Sequence, residues 1–438
     1  MFSSEQWLAN SGGDFYNGVT TTSARFDGVD NTLTRTLVNS SEGSRRKSVW
    51  SFWAKFSLSG TSPNPYFYSK GNGSGVADII YISMTSYERL IFIGYVSDSV
   101  THQMVTTRKF RDPSAWYHIV VAVDTTQATA SNRICIYVNG VKETAFDSAS
   151  YPSENADLAM NWYSTANAGT TVEMISDYKA SPHEDYRIDG YLAEYHSVDG
   201  LSFFSNTSGA TNSSFNINSF GELKNGVWIP VAYTGSHGTQ GYYLKFDQVG
   251  VGTASTSTIG ADTSGNTNHW TSAGIVATDC AMPDNPENNF CTMGSSSMRR
   301  YGHSYVATMA KGNLLATSAG NATHAFGTMS IKQILANDLG VYFEMRCTTD
   351  GSPRCYFGIV AGPDNNKCAA ANAALYEYPL KFVMNTAGSI MGGTQTNGTA
   401  ETNIGAGALS GAYGSIFTFG AGDVMGLAIK SDGKVFIS

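Results

Sequence analysis

Along the first half of the chain, apolar residues fall in short runs at regular turn spacing, with no sustained 3.6-residue periodicity. The clearest stretch runs from Trp116 to Gly140. There, Trp-Tyr-His-Ile-Val-Val-Ala-Val-Asp is followed by a polar loop over 125–132 and then by Arg-Ile-Cys-Ile-Tyr-Val-Asn-Gly. β-Branched and aromatic residues favour extended backbone, so the two runs predict a hairpin. Asn139-Gly140 supplies the next tight turn, because both residues tolerate positive φ cheaply. Apolar residues occupy both faces of the first run, which predicts a strand covered on each side.

The same pattern predicts strands at Ser23–Phe26, Leu33–Leu37, Val49–Phe56, Ile79–Met84, Arg89–Val96, His102–Thr107, Glu173–Asp177 and Arg187–Tyr195. A second set falls at Gly312–Thr317, His324–Ser330, Val341–Cys347, Arg354–Val360, Leu380–Asn385, Ile416–Phe419, Asp423–Lys430 and Lys434–Ile437, with a helical turn at Ile331–Leu339. Between the two sets, residues 201–290 are rich in Gly, Ser, Thr and Asn and end in Pro283-Asp-Asn-Pro-Glu-Asn-Asn. This part reads as a bridging region with little core of its own, packed on its neighbours through Trp228, Tyr242, Tyr243 and Trp270. Residues 1–20 form a separate lead-in. Ser3 and Gln6 could cap one helical turn carrying Trp7 and Leu8 before Gly12-Gly13 breaks it. Such an arm is either a flap on its own domain or a docking peptide using Phe2, Trp7 and Leu8.

The chain has 438 residues, enough for two or three domains with their own cores. Charged residues make up only 14% and the net charge is −8, which argues against nucleic acid as a partner. With 46 Gly, 24 Tyr, 22 Phe and 7 Trp, the composition is that of sheets joined by turns, suited to a surface that works outside cells. No apolar run approaches the roughly 20 residues of a membrane-spanning helix, so no membrane insertion is expected. The amino terminus shows no basic and apolar leader. An exposed protein without an export signal is what a virus structural protein would be, made in the host cytoplasm and released by lysis.

Six cysteines, at 135, 280, 291, 347, 355 and 368, form no Cys-x-x-Cys pair and are expected to be reduced thiols. No Gly-x-Ser-x-Gly elbow, phosphate loop or His-Glu-x-x-His appears. Sandwich glycosidases need two carboxylates facing one cleft. Glu184-Asp185 are adjacent, and Asp189 and Glu194 have odd spacing, so neither pair shares a face of a regular strand. His118 reads as a hydrogen-bonded structural histidine. The chain is therefore expected not to be an enzyme and to need no cofactor. Asp262, Asn266 and Asn268 are spaced as calcium ligands could be, although the same residues suit a tight turn. Tyr66 and Tyr68, in Asn64-Pro-Tyr-Phe-Tyr, together with Trp162 and Tyr163, are candidate carbohydrate-binding residues; core packing or subunit contact would use the same side chains. Arg45-Arg46-Lys47 reads as a run of solvated loop charges.

Residues 21–200 resemble the laminin-G-like, concanavalin A-like jelly rolls in Trp116-Tyr-His-Ile-Val-Val-Ala-Val-Asp, Ile136-Tyr-Val-Asn-Gly-Val and Arg187-Ile-Asp-Gly-Tyr-Leu-Ala-Glu-Tyr. Residues 291–438 resemble a SPRY domain in Gly340-Val-Tyr-Phe-Glu-Met, Arg354-Cys-Tyr-Phe-Gly-Ile-Val, Gly422-Asp-Val-Met-Gly-Leu-Ala-Ile-Lys and Asp432-Gly-Lys-Val-Phe-Ile. SPRY domains continue past that last strand, so the second sandwich is expected to be incomplete at Ser438. The fold expected is all-β: two tandem concanavalin A-like jelly-roll sandwiches joined by an irregular bridging region.

The whole arrangement is similar to the long, tail-fibre-like structural proteins of marine bacteriophages. Phe2-Ser-Ser-x-x-Trp-Leu-Ala, Ser23-Ala-Arg-Phe-Asp-Gly, Gly241-Tyr-Tyr-Leu-Lys-Phe, Asp262-Thr-Ser-Gly-Asn-Thr-Asn-His-Trp-Thr and Asn288-Asn-Phe-Cys-Thr-Met carry the resemblance. It implies a virion location, a homotrimeric fibre or appendage, other virion proteins as partners, and attachment to host surface glycans. A capsid-decorating protein, a secreted lectin or adhesin, and a polysaccharide depolymerase are the alternatives.

Overall fold

The computed structural model describes residues 15–37, 43–56, 64–72, 78–85, 88–162, 171–178, 186–200, 216–294, 308–317, 326–327, 340–348, 356–360, 380–385, 390–394, 420–430 and 435–437. The chain divides into two compact units, residues 1–292 with 310–315, and residues 293–309 with 316–438. Among the described residues it is all-β, with helical geometry confined to short 3₁₀ turns such as Ala130–Asn132 and Ala277–Asp279.

In chain order the strands of the first unit are β1 (Ala24–Asp27), β2 (Thr32–Thr36), β3 (Lys47–Phe56), β4 (Tyr66–Asn72), β5 (Ile79–Met84), β6 (Leu90–Val96), β7 (Ser99–Thr106), β8 (Tyr117–Asp124), β9 (Ile134–Val138), β10 (Val141–Lys142), β11 (Phe146–Ser150), β12 (Thr171–Ile175), β13 (Asp189–Asp199), β14 (Gly221–Lys224), β15 (Val227–Pro230), β16 (Tyr242–Leu244) and β17 (Thr271–Ala273). The front sheet runs β1-β13-β3-β8-β9-β10, and the back sheet β11-β7-β6-β5-β4-β12-β2-β17. Their strand pairs are antiparallel throughout.

The Trp116–Gly140 pattern forms as expected. β8 and β9 pair with Val121 opposite Ile136, and Asn139 and Gly140 turn the chain at φ 48° and 76°. β8 is covered on both faces: Ile119, Val121 and Val123 enter the core between the sheets, while Val120 and Ala122 join a smaller cluster on the outer side with Val49, Tyr137 and Phe220. β3 alternates in the same way, with Trp50, Phe52, Ala54 and Phe56 inward and Trp53 outward.

β4 and β11 are among the strands that escape the sequence pattern. β11, Phe-Asp-Ser-Ala-Ser, is a mostly exposed edge strand with no apolar alternation. β4 follows Pro65 and carries a bulge between Tyr66 and Tyr68. Inside the core, three neighbouring back-sheet strands bring a polar group together: the Glu173 carboxylate lies 2.6 Å from Arg35 and accepts from the Tyr68 hydroxyl at 2.8 Å.

Residues 216–292 build part of this sandwich. β16 adds to β13 in the front sheet beyond β1, and β17 adds to β2 at the edge of the back sheet. Tyr242, Leu244, Phe246, Ile259 and Trp270 lie in the main core, and Phe220, Trp228, Tyr243 and Asp284 cover the outer face of the front sheet. Cys135 and Cys280 are buried free thiols.

The second unit contains two three-stranded antiparallel sheets. One pairs Val341–Arg346 with Val424–Ile429 and that strand with Val435–Ile437; the other joins Tyr356–Val360, Leu380–Asn385 and Ile390–Thr394. Met425, Leu427 and Ile429 alternate along one strand and are buried, as a one-sided sheet requires. The expected helical turn at 331–339 and strand at 416–419 lie outside the described residues.

Candidate functional site

The outer face of the back sheet carries a groove of about 400 Å³ whose lining includes Tyr66, Tyr81, Arg89, Gln103 and Asp147. Register explains its floor. Tyr66 faces Ser83, Ser83 faces Ile91, and Ile91 faces Val105, while Tyr81, Ile93 and Gln103 form the neighbouring row. All are outward positions of period-two strands. The rings of Tyr66, Tyr81, Tyr178 and Tyr186 pack together, with Tyr66 at 4.9–5.1 Å from the other three. At the rim, Arg89 donates to the Asp147 carboxylate at 2.6 Å. Burial pushes the hydroxyl of Tyr81 well above its ordinary pKa, and that of Tyr178 up to about 12, so both remain neutral donors.

The bulge in β4 separates the two tyrosines that the sequence groups together. An extra residue lets Phe67 and Tyr68 both turn into the core, whereas Tyr66 turns out. Tyr68 is 0% exposed, with its hydroxyl on Glu173, so it has no face for a sugar, and its assignment to carbohydrate binding is corrected. Tyr66 lines the groove but is covered by its three neighbours, and Tyr81 is the less buried ring. Tyr81 sits in a run, Ile-Ile-Tyr-Ile-Ser-Met, that in sequence reads simply as a strand and gives no sign of a groove.

Trp162 is also occupied. The Arg45 guanidinium lies 4.1 Å from the centroid of its ring, and Arg46 pairs with Asp157 at 2.7 Å, so two charges of the basic run are held against this loop. Tyr163, Phe2, Trp7, Leu8, Glu184 and Asp185 lie outside the described residues.

On the outer face of the front sheet, residues capable of catalysis are buried and committed to partners. The imidazole of His118 contacts Ser51 Oγ and the indole N–H of Trp228, both at 2.9 Å. Burial holds it down to about 3, so it is neutral. A second bulge, between Ala193 and His196, lets these two residues, three apart, both face outward, and the Glu194 carboxylate lies 3.8 Å from His196 Nε2. Tyr243 donates to Glu194 at 2.5 Å, and His196 and His237 meet through ring nitrogens at 3.1 Å. Burial raises Glu194 to about 7 and lowers His196 and His237 to about 3 and 4. Phe220, Tyr233 and Tyr243 cover this cluster, leaving Glu194 5% and His196 3% exposed. Asp189 is spent elsewhere, accepting from the backbone N–H of Gly312 at 2.7 Å.

The Asp262 loop is a turn closed by its own backbone. Asp262 Oδ1 accepts from the N–H groups of Tyr243 and Ser264, and Oδ2 from that of Asn268. The side-chain amides of Asn266 and Asn268 donate to the carbonyls of Gly238, Thr239 and Gly241. The Asp262 carboxylate thus closes the turn that these residue types also suit. Among the described residues no three His, Cys, Asp or Glu side chains converge as a metal site. No helix there is long and apolar enough to cross a membrane.

No protein family matches the sequence, and no curated protein does. Among solved structures, a candidate carbohydrate binding protein from Bacteroides ovatus is similar at 14% identity over 59% of this chain and 60% of its own, with a TM-score of 0.34. A heptameric SAP-like pentraxin from Limulus polyphemus matches at 12% identity over 40% of this chain and 79% of its own, TM-score 0.25. The Ruminococcus gnavus sialidase CBM40, bound to α2,3-sialyllactose, matches at 12% identity over 36% of this chain and 86% of its own, TM-score 0.24. At these scores the likenesses are partial and add no argument to what the sheets themselves show.

Proposed function

We propose that this chain is a non-enzymatic structural protein of a bacteriophage particle, a tail fibre or related appendage on the virion surface, and that it holds host-surface glycan in the back-sheet groove. The observation that carries the glycan reading is the groove itself. It combines a tyrosine cluster with a guanidinium, a carboxylate and the Gln103 amide, the donors and acceptors that fix a polyhydroxylated ligand over an aromatic floor. Because Arg89 and Asp147 neutralise each other, the rim offers hydrogen bonds without net charge, which suits a neutral saccharide. The non-enzymatic reading is supported by the buried, partnered state of His118, His196 and Glu194. The virion location and a homotrimeric assembly with other virion proteins rest on the sequence resemblance alone.

Two experiments test this. The purified chain is applied to an array of host surface and capsule glycans: binding of neutral saccharides, lost in Tyr81→Ala, is expected, and released reducing ends would overturn the non-enzymatic reading. Immunogold labelling of intact particles is expected to decorate the virion surface; unlabelled particles would refute the virion assignment.

A further inference from the structure

Lys55 stands at an outward position of β3 yet is 1% exposed, because residues 279–290 close over it. Its Nζ lies 2.8 Å from Asp284 Oδ2, 2.8 Å from Asn289 Oδ1 and 2.7 Å from the carbonyl oxygen of Phe290. Trp53, Trp116 and Tyr191 form the surrounding aromatic cluster. Asp284 is itself buried, and its other oxygen is fixed by the Trp116 indole N–H at 3.0 Å. Asn289 is held from behind, its amide nitrogen donating to the Ser114 carbonyl at 2.9 Å.

An amine and a carboxyl group are thus held together, buried beside aromatic rings, and the carboxamide of Asn289, an exposed residue, closes over the amine from the solvent side. A buried ammonium is costly, and desolvation pulls the Lys55 amine below its ordinary pKa against the opposing pull of Asp284. Passing its proton to Asp284 leaves a neutral amine beside an electrophilic carbonyl and an acid able to shuttle protons. Fixed proximity of this kind replaces a bimolecular encounter.

We propose that Lys55 and Asn289 become joined by an intramolecular isopeptide bond that the folded chain forms by itself, with Asp284 carrying the proton. The Nζ lone pair attacks Cγ of Asn289 and forms the C–N bond, while Asp284 protonates the carbonyl oxygen. Asp284 then relays the proton lost by Nζ to Nδ2, the Cγ–Nδ2 bond breaks, Nδ2 leaves as ammonia, and the proton on the oxygen returns to Asp284 as the carbonyl re-forms. One amine and one primary amide become one secondary amide and ammonia, with no change of oxidation state and no co-reactant. The new amide keeps an N–H for Asp284 or the Phe290 carbonyl, and a buried charge disappears. The bond spans 234 positions of sequence and would lock the covering segment onto β3, a use suited to a particle exposed to mechanical and chemical stress.

Intact-mass measurement of the folded full chain, after prolonged incubation, tests this without any variant. The expected mass is below the sequence mass by one ammonia, and tryptic digestion yields a branched peptide joining Lys55 to Asn289. Asn289→Ala is expected to restore its own full sequence mass, and Asp284→Ala to slow or abolish the linkage. A wild-type chain of full sequence mass with both residues in separate peptides would overturn the proposal. Loss of water with a branch at Asp284 would overturn the choice of Asn289, and linkage of Asp284→Ala at the wild-type rate would overturn the proton-carrying role.

Discussion

The indole N–H of Trp228 donates to Nδ1 of His118 at 2.9 Å, and this bond sets the tautomer of the buried imidazole. An indole N–H can only donate, so Nδ1 accepts and the proton sits on Nε2, which donates to Ser51 Oγ. Trp228→Phe retains an aromatic ring over His118 but strands a buried acceptor. The expected cost is about 1–3 kcal/mol, read as a lower urea midpoint at unchanged m-value.

Gly140 guards the same contact. Its φ of 76° is in the left-handed region, and a Cβ there would stand 2.4 Å from the Trp228 ring. Gly140→Ala should therefore both strain the turn and displace the indole, at about 1–3 kcal/mol. Because both changes break one contact, the Gly140→Ala and Trp228→Phe costs should sum to more than the double variant loses. Strict additivity in a double-mutant cycle would show that the turn and the indole are independent.

Burial lowers His102, His118 and His196 to about 3 and His237 to about 4 from an ordinary 6.5. Below pH 6.5 the unfolded chain binds protons at these sites that the folded chain refuses, so their contribution to stability falls as pH falls. Glu194 and Asp189, both raised to about 7, act oppositely: their stabilising contribution is present below their unfolded values of 4.5 and 3.8 and is lost as pH rises through 7. Four histidines outweigh two carboxyls. Urea midpoints are expected to decline from pH 6 to 4, with the steeper loss below about pH 4.5, where the carboxyls no longer offset the histidines. A flat profile over this window would contradict the neutral buried histidines.

Tyr68 and Tyr81 should separate cleanly between stability and binding. Tyr68→Phe removes a hydroxyl from the buried Glu173 carboxylate and is expected to cost about 1–3 kcal/mol while leaving glycan binding intact. Tyr81→Ala changes a partly exposed groove residue and is expected to weaken glycan binding at least tenfold, checked by calorimetric titration beside thermal unfolding. Binding that survives Tyr81→Ala would move the glycan site elsewhere.

Asp262→Ala frees the three backbone N–H groups that its carboxylate holds and is expected to lower stability by about 1–3 kcal/mol. Since those oxygens are already engaged, EDTA or added calcium should leave the wild-type unfolding temperature unchanged. A calcium-dependent rise, absent in Asp262→Ala, would restore the metal reading.

Local patterning alone determined the sheet class, the β8–β9 hairpin, the Asn139-Gly140 turn that follows β9 and the framework role of His118. Alternation, β-propensity and turn chemistry are properties of adjacent residues and survive in a linear reading. Tertiary structure decided the rest. Tyr66 and Tyr68 look equivalent at a spacing of two, but the β4 bulge turns one to the outer face of the sheet, under its tyrosine neighbours, and the other into the core. The segment 216–292 reads as a bridging region packed on its neighbours because it is rich in turn residues, yet it adds β16 and β17 to the two sheets and buries Tyr242 and Trp270 fully in the main core. Lys55, Asp284 and Asn289 carry no motif, since their meeting depends on a chain that returns over β3 after more than two hundred residues. Register, bulges and long-range closure depend on which surfaces are left to bury once the sheets have formed, and only the folded chain holds that information.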